Sequence, residues 1–166
     1  VGPWSRGIAA KIVVDLPLYA GEHFYVVTDN IDGLGQRPVL RDFDKGVYFK
    51  EDTGKMIVGW FEHNARGCSM DRIPESFCFD EFPCGIDDVE EYLMRGVGTM
   101  PILEETGIRT FFNGPESFTP DNLHLLGPTP EVDKFFLARG LNSEGIGTGA
   151  MLVKSMAVWI SPGHPS

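Results

Sequence analysis

A glycine-rich turn near the end of the chain most constrains how this sequence can fold. Residues 140–150 read GLNSEGIGTGA, in which Gly145, Gly147 and Ala150 match the spacing G-x-G-x-x-G/A of a dinucleotide-binding turn. Such a turn needs a further strand after its helix and an acidic residue about 20 positions on. Only 16 residues follow Ala150, and none of them is Asp or Glu. We therefore do not expect this turn to open a complete dinucleotide-binding unit.

Two interpretations of these glycines stay open. Small residues at the start of a helix allow the helix to pack closely on a sheet. They also let another body approach the first N–H groups, where the helix dipole favours negative charge. Asn142 and Ser143 are candidate N-caps of this helix. The second interpretation predicts a helix N-terminus directed at an anionic or electron-rich ligand.

Apolar runs along the chain predict strands joined by tight turns. Residues 18–28 (LYAGEHFYVVT) are rich in aromatic and β-branched side chains, which is typical of a strand. Residues 46–50 and 55–61 flank a turn that contains Gly54, so that we predict a hairpin. Two more strands are predicted, at 109–112 and 134–138.

Two segments have helical spacing. Apolar residues recur through 86–97, carboxylates crowd the first turn, and Gly98 ends the helix. Residues 146–160 are apolar almost all round, so that this helix is expected to be buried on more than one side. The segment 113–127, which Pro115 and Pro120 interrupt, is predicted to be a loop. The order of elements predicts one α+β domain over 1–166, with a largely antiparallel sheet and helices on one face.

Charge and cysteine content limit the partners that we expect. The formal net charge is −10, so that nucleic acid and anionic membrane should both be repelled. Cys68, Cys78 and Cys84 show no C-x-x-C spacing, which favours reduced thiols in a reducing compartment over a disulfide framework or a metal site. The start, VGPWSRGIAA, has no signal-peptide layout and no initial Met, so that we expect a piece of a longer chain.

Five collinear segments resemble the FAD-dependent amine oxidoreductases, specifically the sarcosine and dimethylglycine dehydrogenase group of the D-amino-acid-oxidase-like superfamily. The segments are VGPWSRGI, PLYAGEHFYVVTD, GVYFKEDTGKMIVGWFEHNARG, NGPESFTPDNLHLLGPTPEV and KFFLARGLNSEGIGTGAMLVKSMAVWISPGHPS. The most specific pair is NGPESFTPD followed by GLNSEGIGTG. The resemblance covers nearly the whole chain and corresponds to the C-terminal part of the family's flavin domain.

The resemblance implies that FAD is the cofactor and that most of its site lies in a Rossmann half that this chain lacks. The residues that match family contacts to FAD are Gly2, Trp4, Asn142, Ser143, Gly145, Ile146, Gly147 and Thr148. It places the N-terminus of the last helix at the pyrimidine edge of the flavin, where N–H groups stabilise negative charge on the reduced ring. The fragment is expected to pack against the missing half. Alone, it is expected to bind FAD weakly, to have little activity and to self-associate.

The activity that the resemblance implies is oxidation of a secondary or tertiary N-methyl amine, such as sarcosine or dimethylglycine, by hydride transfer to FAD. The amine must be neutral to react, and a histidine is a suitable base. His23 matches the family's active-site histidine, and Tyr48 matches a tyrosine that faces the substrate. The two would be adjacent if their strands pair, with His23, Tyr25 and Val27 on one face. The expected location is the bacterial cytoplasm or the mitochondrial matrix.

Several assignments stay open at this point. The cation for a substrate carboxylate could be Arg66, Arg109 or Arg139, and His63 could also line the pocket. Glu116, Thr119 and Asp121 are expected to shape their loop rather than to react. The alternative function is that of a non-catalytic relative, similar to the regulatory subunit of pyruvate dehydrogenase phosphatase. A free-standing α+β binding domain is disfavoured, because the start of the chain and the last helix both imply a neighbour.

Overall fold

The computed structural model describes residues 2–69, 73–74 and 76–161. The helices described are α1 (Ser5–Ala10), α2 (Ile86–Val97) and α3 (Gly145–Ile160), with 3-10 turns at Gly2–Trp4 and Pro101–Glu105. The strands described are β1 (Tyr19–Thr28), β2 (Leu40–Asp42), β3 (Val47–Asp52), β4 (Lys55–Trp60), β5 (Ile108–Phe118), β6 (Leu125–Pro128) and β7 (Phe136–Arg139).

Five of these strands form one sheet in the order β2-β3-β4-β1-β5, and β6 and β7 form a separate two-stranded sheet. The pairs β2–β3, β3–β4, β4–β1 and β6–β7 are antiparallel. The predicted α+β class with a largely antiparallel sheet is confirmed.

The chain forms two compact units, each built from separate segments. The sheet unit comprises Glu22–Ala65 and Cys78–Gly114, and the hairpin unit comprises Val1–Gly21, Arg66–Phe77 and Pro115–Ser166. The expectation of one domain over 1–166 stays a prediction.

The predicted hairpin forms as β3 and β4, and its turn explains why. Asp52 pairs with Lys55, which leaves Thr53 and Gly54 as a two-residue loop. Both residues have positive φ, 54° and 80°, as a type I′ turn requires. The Gly54 N–H also donates to the Glu51 Oε1 at 2.9 Å. Turn chemistry and register therefore agree.

The core of the sheet unit lies between α2 and one face of the sheet. Val89 of α2 is fully buried, together with the sheet residues Val26, Phe49, Val58 and Trp60. Asp88 reaches back to accept the Gly85 N–H at 2.9 Å, which satisfies a donor at the helix start. Three of the recurring apolar residues that predicted this helix, Val89, Leu93 and Val97, pack in this core, whereas Ile86 is 45% exposed.

The predicted loop over 113–127 is partly wrong. Strand β5 continues to Phe118, and β6 begins at Leu125. A proline cannot donate to a strand ladder, yet Pro115 is accommodated because β5 is the edge strand of its sheet. The segments α1 and β2 were not predicted, because each is too short for its periodicity to be recognised.

The hairpin unit has its own small core, in which Ala9, Val14, Leu16 and Leu18 are buried. Helix α3 lies on β6 and β7. Gly127, at φ 127°, makes room for this contact, because a methyl group there would lie 2.9 Å from the Trp159 ring.

The expectation that the last helix is buried on more than one side is wrong for this chain. Of its side chains, Leu152 and Met156 are buried. Six large apolar residues of α3 are exposed: Ile146, Met151, Val153, Val158, Trp159 and Ile160. The helix contacts its sheet along one side, while its composition is apolar on the others. Among the described residues, no helix combines the length and hydropathy that crossing a bilayer requires.

Candidate active site

The candidate site lies on the face of the sheet opposite to α2. Along β1 the side chains alternate, so that Phe24 and Val26 are buried in the core while His23, Tyr25 and Val27 are half-buried on the other face. This confirms that His23, Tyr25 and Val27 share one face. The strands of His23 and Tyr48 do not pair with each other, because β4 lies between β1 and β3, so the condition for their direct adjacency is not met.

A row of directly opposed residues crosses four strands on this face. Arg41 of β2 pairs with Tyr48 of β3, Tyr48 pairs with Gly59 of β4, and Gly59 pairs with Tyr25 of β1. Directly opposed residues in antiparallel strands point to the same side of the sheet. Gly59 has no side chain, and the Tyr48 ring occupies the space that a methyl group on Gly59 would need. The glycine thus lets the Tyr48 phenol lie across the sheet.

Phe61, which directly follows β4, brings the candidate residues together. Its ring centroid lies 5.8 Å from that of His23 and 6.0 Å from that of Tyr48. The Arg41 guanidinium carbon lies 4.1 Å from the centre of the same ring. A guanidinium in this position is held by a cation–π contact. A cation, a phenol and an imidazole are therefore grouped round one aromatic ring.

The next residue, Glu62, holds His23 in place. Its Oε2 lies 2.9 Å from His23 Nδ1, and its Oε1 accepts the Phe24 N–H at 3.1 Å. The Glu62 side chain is 2% exposed and that of His23 is 11% exposed. Both carboxylate oxygens are thus engaged in a nearly dry environment.

Burial sets the ionisation of the two tyrosines. Burial raises the pKa of Tyr48 to about 12, with smaller contributions from the nearby Tyr25 and Glu62. Burial also raises the pKa of Tyr25, with a smaller contribution from the carboxylate of Glu81. The Tyr25 ring stacks on Phe112 with centroids 4.5 Å apart. Both phenols therefore stay neutral at physiological pH, and Tyr48 can donate a hydrogen bond but not accept a proton.

A second buried carboxylate lies beside His23 in sequence. Glu22 is 6% exposed, and its Oε2 accepts a hydrogen bond from Asn113 Nδ2 at 2.9 Å. Asn113 is fully buried and also receives the Phe82 N–H on its backbone carbonyl. This pair braces β1 from within the sheet unit, and Asn113 is the first residue of the motif NGPESFTPD.

In the hairpin unit, Asn142 supports a turn rather than capping α3. Its Oδ1 accepts the Thr119 N–H at 2.8 Å, and its Nδ2 donates to the Gly140 carbonyl at 2.8 Å. The N-cap position of α3 is Glu144, which makes no side-chain capping bond. Ser143 reaches Glu116 at 3.5 Å instead. The prediction of Asn142 and Ser143 as N-caps is therefore wrong, because both precede the cap in left-handed conformations, at φ 48° and 65°.

The glycines at the start of α3 are not explained by packing within the described chain. A methyl group built on Gly147 or Gly149 would meet nothing within 4 Å, and neither residue has a positive φ. Ile146, which directly precedes Gly147, is fully exposed. Close helix–sheet packing was one of the two interpretations of these glycines, and the contacts of Gly147 and Gly149 do not support it.

The other predicted residues have more scattered positions. Gly2 lies in the first 3-10 turn, the Trp4 indole N–H donates to the Pro74 carbonyl at 3.3 Å, and Thr148 Oγ1 donates to the Glu144 carbonyl at 2.9 Å. The cofactor roles of all these residues stay predictions. The prediction that Asp121 shapes its loop is confirmed, because its Oδ1 accepts the Leu123 N–H at 3.0 Å.

The other histidines, and the arginines predicted as candidates to bind a substrate carboxylate, differ in exposure and contacts. His63 is exposed, in contrast to its neighbour Glu62. Arg66 and Arg109 are exposed, and Arg139 donates to the Ala138 carbonyl within the hairpin unit. His124 lies 3.1 Å from the Gly140 carbonyl, and His164 lies outside the described residues.

Sequence reasoning missed Arg41, Gly59 and Glu62. Arg41 lies in a strand of three residues, and Gly59 lies within an apolar run, so that neither has a local signal. Glu62 directly precedes His63, and no local pattern indicates its contact with His23. Strand register, which local patterns do not give, was the missing information.

A family model described as FAD dependent oxidoreductase matches residues 1–159. The chain is 35% identical over 164 residues to mitochondrial sarcosine dehydrogenase of Mus musculus, which covers 99% of this chain and 18% of that protein. It is 36% identical over 165 residues to 4-methylaminobutanoate oxidase (formaldehyde-forming) of Paenarthrobacter nicotinovorans, covering 99% of this chain and 20% of that one. The chain thus spans about a fifth of the length of these curated relatives.

Two further similarities bear on the alternatives. The chain is 31% identical over 169 residues to the mitochondrial pyruvate dehydrogenase phosphatase regulatory subunit of Mus musculus, covering 99% of this chain and 19% of that protein. The crystal structure of L-proline dehydrogenase from P. horikoshii superimposes with a TM-score of 0.77 at 20% identity, covering 100% of this chain and 42% of that one. At this identity the structural likeness shows the fold alone.

Proposed function

Because the chain belongs to the FAD dependent oxidoreductase family, we propose that it supplies the substrate-side residues of a longer flavoenzyme. The proposed reaction is oxidation of a secondary or tertiary N-methyl amine that carries a carboxylate. The names of two relatives, sarcosine dehydrogenase and 4-methylaminobutanoate oxidase, support this substrate class. The observation that carries the proposal is the grouping of His23, Tyr48 and Arg41 round the Phe61 ring.

Each of these side chains has a separate role in the proposal. His23 accepts the proton of the substrate ammonium, so that the nitrogen lone pair is available when the amine reacts. Tyr48 stays neutral, since burial raises its pKa to about 12, and its O–H donates a hydrogen bond to the bound substrate. Arg41 binds the substrate carboxylate, for which the paired N–H groups of a guanidinium are suited.

The aromatic surfaces complete this part of the site. Phe61 and the stacked pair Tyr25–Phe112 shield it from water. Aromatic faces also attract an alkylammonium before it loses its proton. Of the four arginines considered, Arg41 is the one in contact with the ring that His23 and Tyr48 share.

The N-terminus of α3 fits the cofactor that the family name implies. FAD, when bound, would supply the hydride acceptor. Residues Gly145 to Thr148 would hold it with backbone N–H groups and the positive end of the helix dipole. The support is the open space beside Gly147 and Gly149, which a side chain on either residue would narrow. Gly2 and Trp4 are proposed to contact the cofactor as well.

We also propose that the exposed apolar side of α3 packs against the remainder of the parent protein. Apolar residues such as Ile146, Met151 and Val153 are more than half exposed here. Exposed apolar surface of this extent favours association. The proposed location is the bacterial cytoplasm or the mitochondrial matrix, which is in line with one bacterial and several mitochondrial relatives.

The test is the visible spectrum of the full-length protein before and after anaerobic addition of an amine. We expect the flavin band near about 450 nm to bleach with sarcosine, dimethylglycine or 4-methylaminobutanoate. In Arg41→Ala, saturation with these carboxylated amines should need roughly 10²-fold more substrate, since a charge-assisted bidentate contact is lost. N-methylpropylamine, which has no carboxylate, should respond equally in both proteins.

A flavin that no N-methyl amine bleaches would contradict the proposed reaction. Absence of any flavin would do the same and would favour a non-catalytic role. The similarity to the phosphatase regulatory subunit supports that second candidate. The close grouping of His23 and Tyr48 round Phe61 favours the enzyme.

A further inference from the structure

The buried contact between Glu62 and His23 has a chemical consequence for the histidine. An ionised carboxylate can only accept hydrogen bonds. Its Oε2 lies 2.9 Å from His23 Nδ1, so that this nitrogen carries the proton and donates it. In a neutral imidazole the other nitrogen, Nε2, is then the basic one. The position of Glu62 therefore decides which ring nitrogen can take up a proton.

Glu62 is itself held in a single position. Its Oε1 accepts the Phe24 N–H at 3.1 Å, from the residue next to His23 on the same strand. Its side chain is 2% exposed, so that water does not compete for either oxygen. The carboxylate is anchored to the β1 backbone by one oxygen and orients the ring by the other. Glu62 follows Phe61, which touches the same imidazole from the side at 5.8 Å between ring centroids.

We propose that Glu62 is a positioning residue that holds His23 as the Nδ1–H tautomer, with Nε2 directed to the substrate amine. This inference rests on the proposed function of His23 as the proton acceptor. Glu62 does not contact the substrate and acts through the imidazole. When His23 takes the ammonium proton, the adjacent carboxylate stabilises the imidazolium that forms, as an orienting carboxylate does in a catalytic triad.

The test compares Glu62→Gln with the wild-type full-length protein. A glutamine can still accept the Phe24 N–H with its oxygen, and its NH2 group then faces His23 Nδ1 as a donor. This arrangement favours the opposite tautomer, in which Nε2 carries the proton and cannot accept another. The limiting rate of anaerobic flavin bleaching should fall by about 10²-fold or more at neutral pH. Flavin content and the substrate dissociation constant should change little.

The pH profile separates this role from a merely structural one. In the wild type, we expect the bleaching rate to reach its plateau at a pH below the ordinary pKa of the amine, because His23 accepts the ammonium proton. In Glu62→Gln the rate should keep rising toward the ordinary pKa of the amine, because the substrate must then arrive already deprotonated. Glu62→Asp keeps a carboxylate and should retain the wild-type shape at a reduced rate. Glu51→Gln is the matched control, since its side chain supports the β3–β4 turn through Gly54.

A double-mutant cycle keeps the inference testable if Glu62→Gln incorporates flavin poorly. In a His23→Gln background, Glu62→Gln should lower the rate per bound flavin by less than about threefold, because the residue that it positions is gone. A full additional loss in that background would overturn the inference, as would a Glu62→Gln profile parallel to the wild type at every pH. Failure of the wild type itself to bleach would instead contradict the proposed function.

Discussion

The two sets of candidate residues lie on the sheet face with His23 and at the start of α3. The two regions differ in how many contacts their residues make within the described chain. On the sheet face the charged and polar groups are engaged, as in the contacts of Glu62 with His23 and Phe24. At the start of α3, Gly147 and Gly149 border open space and Ile146 is fully exposed. Contacts within the chain hold the side chains of the first region, whereas the second region borders open space.

The same contrast appears in the glycines of the two regions. Gly59 cannot gain a side chain without moving Tyr48, because the phenol ring fills the space above it. Gly147 could gain one with no clash among the described residues. A glycine that the fold needs and a glycine that the fold does not need call for different explanations. Alanine at each position, in Gly59→Ala and Gly147→Ala, tests that difference.

The largest effect is expected for Asn113→Asp in the sheet unit. The substitution removes the hydrogen bond that Nδ2 donates to Glu22 and places a second carboxylate beside a buried one. We expect unfolding to become easier by about 3 kcal/mol, as for an unpaired buried charge. Thermal unfolding of the full-length protein measures it, with the exposed Asn30→Asp as the control. Equal midpoints for the two variants would contradict the bracing role of Asn113.

Gly59→Ala should cost less stability but should affect activity strongly. The added methyl group has to displace the Tyr48 ring, and overpacking of this kind costs about 1–3 kcal/mol. Because Tyr48 is proposed to touch the substrate, the rate of flavin bleaching should fall by roughly 10²-fold. Retention of the wild-type rate would show that Tyr48 need not lie across Gly59.

Tyr48→Phe should change how the free energy of unfolding depends on pH in the alkaline range. Burial raises the pKa of Tyr48 to about 12, so that the folded state holds its proton more tightly than the unfolded state does. The resulting stabilisation is complete below about pH 10 and is lost as pH rises through about 12, with a total of about 3 kcal/mol. Tyr48→Phe should lack this loss. Tyrosinate absorbance during an alkaline titration measures the ionisation of Tyr48. Ionisation of Tyr48 near pH 10 would contradict the effect of burial on its pKa.

Gly147→Ala should have the smallest effect on folding and a separate effect on the cofactor. Alanine is favoured over glycine in a helix, so that stability without FAD should rise by about 0.5 kcal/mol. If FAD lies against this turn, the flavin content of the purified protein should fall below that of the wild type. A flavin content equal to that of the wild type would contradict the proposal that Gly147 leaves room for FAD.

Much of the local structure could be predicted from the sequence. The turn at Thr53 and Gly54, the spacing of α2 and the alternation along β1 each depend on neighbours a few residues apart. The family resemblance also indicates His23 and Tyr48 as candidate site residues, and their catalytic roles stay predictions. The family match over residues 1–159 agrees with that identification of the family.

The remaining features depended on long-range pairing. His23 and Glu62 are 39 residues apart, and no local pattern indicates that they meet. The row of Arg41, Tyr48, Gly59 and Tyr25 exists only because β4 lies between β3 and β1. A proline such as Pro115 usually indicates a loop. It lies in strand β5 here, and adjacent residues do not show that this strand is at the edge of its sheet.

Propensity and periodicity, which are local properties, were enough to predict the class of fold and the hairpin turn, and the family resemblance supplied the candidate histidine. Which cation, carboxylate and glycine surround that histidine depends on strand order and register, because these are set by the burial of whole faces. It also showed that the apolar pattern of α3 exceeds what this chain covers, since Leu152 and Met156 are buried while Val153 is exposed.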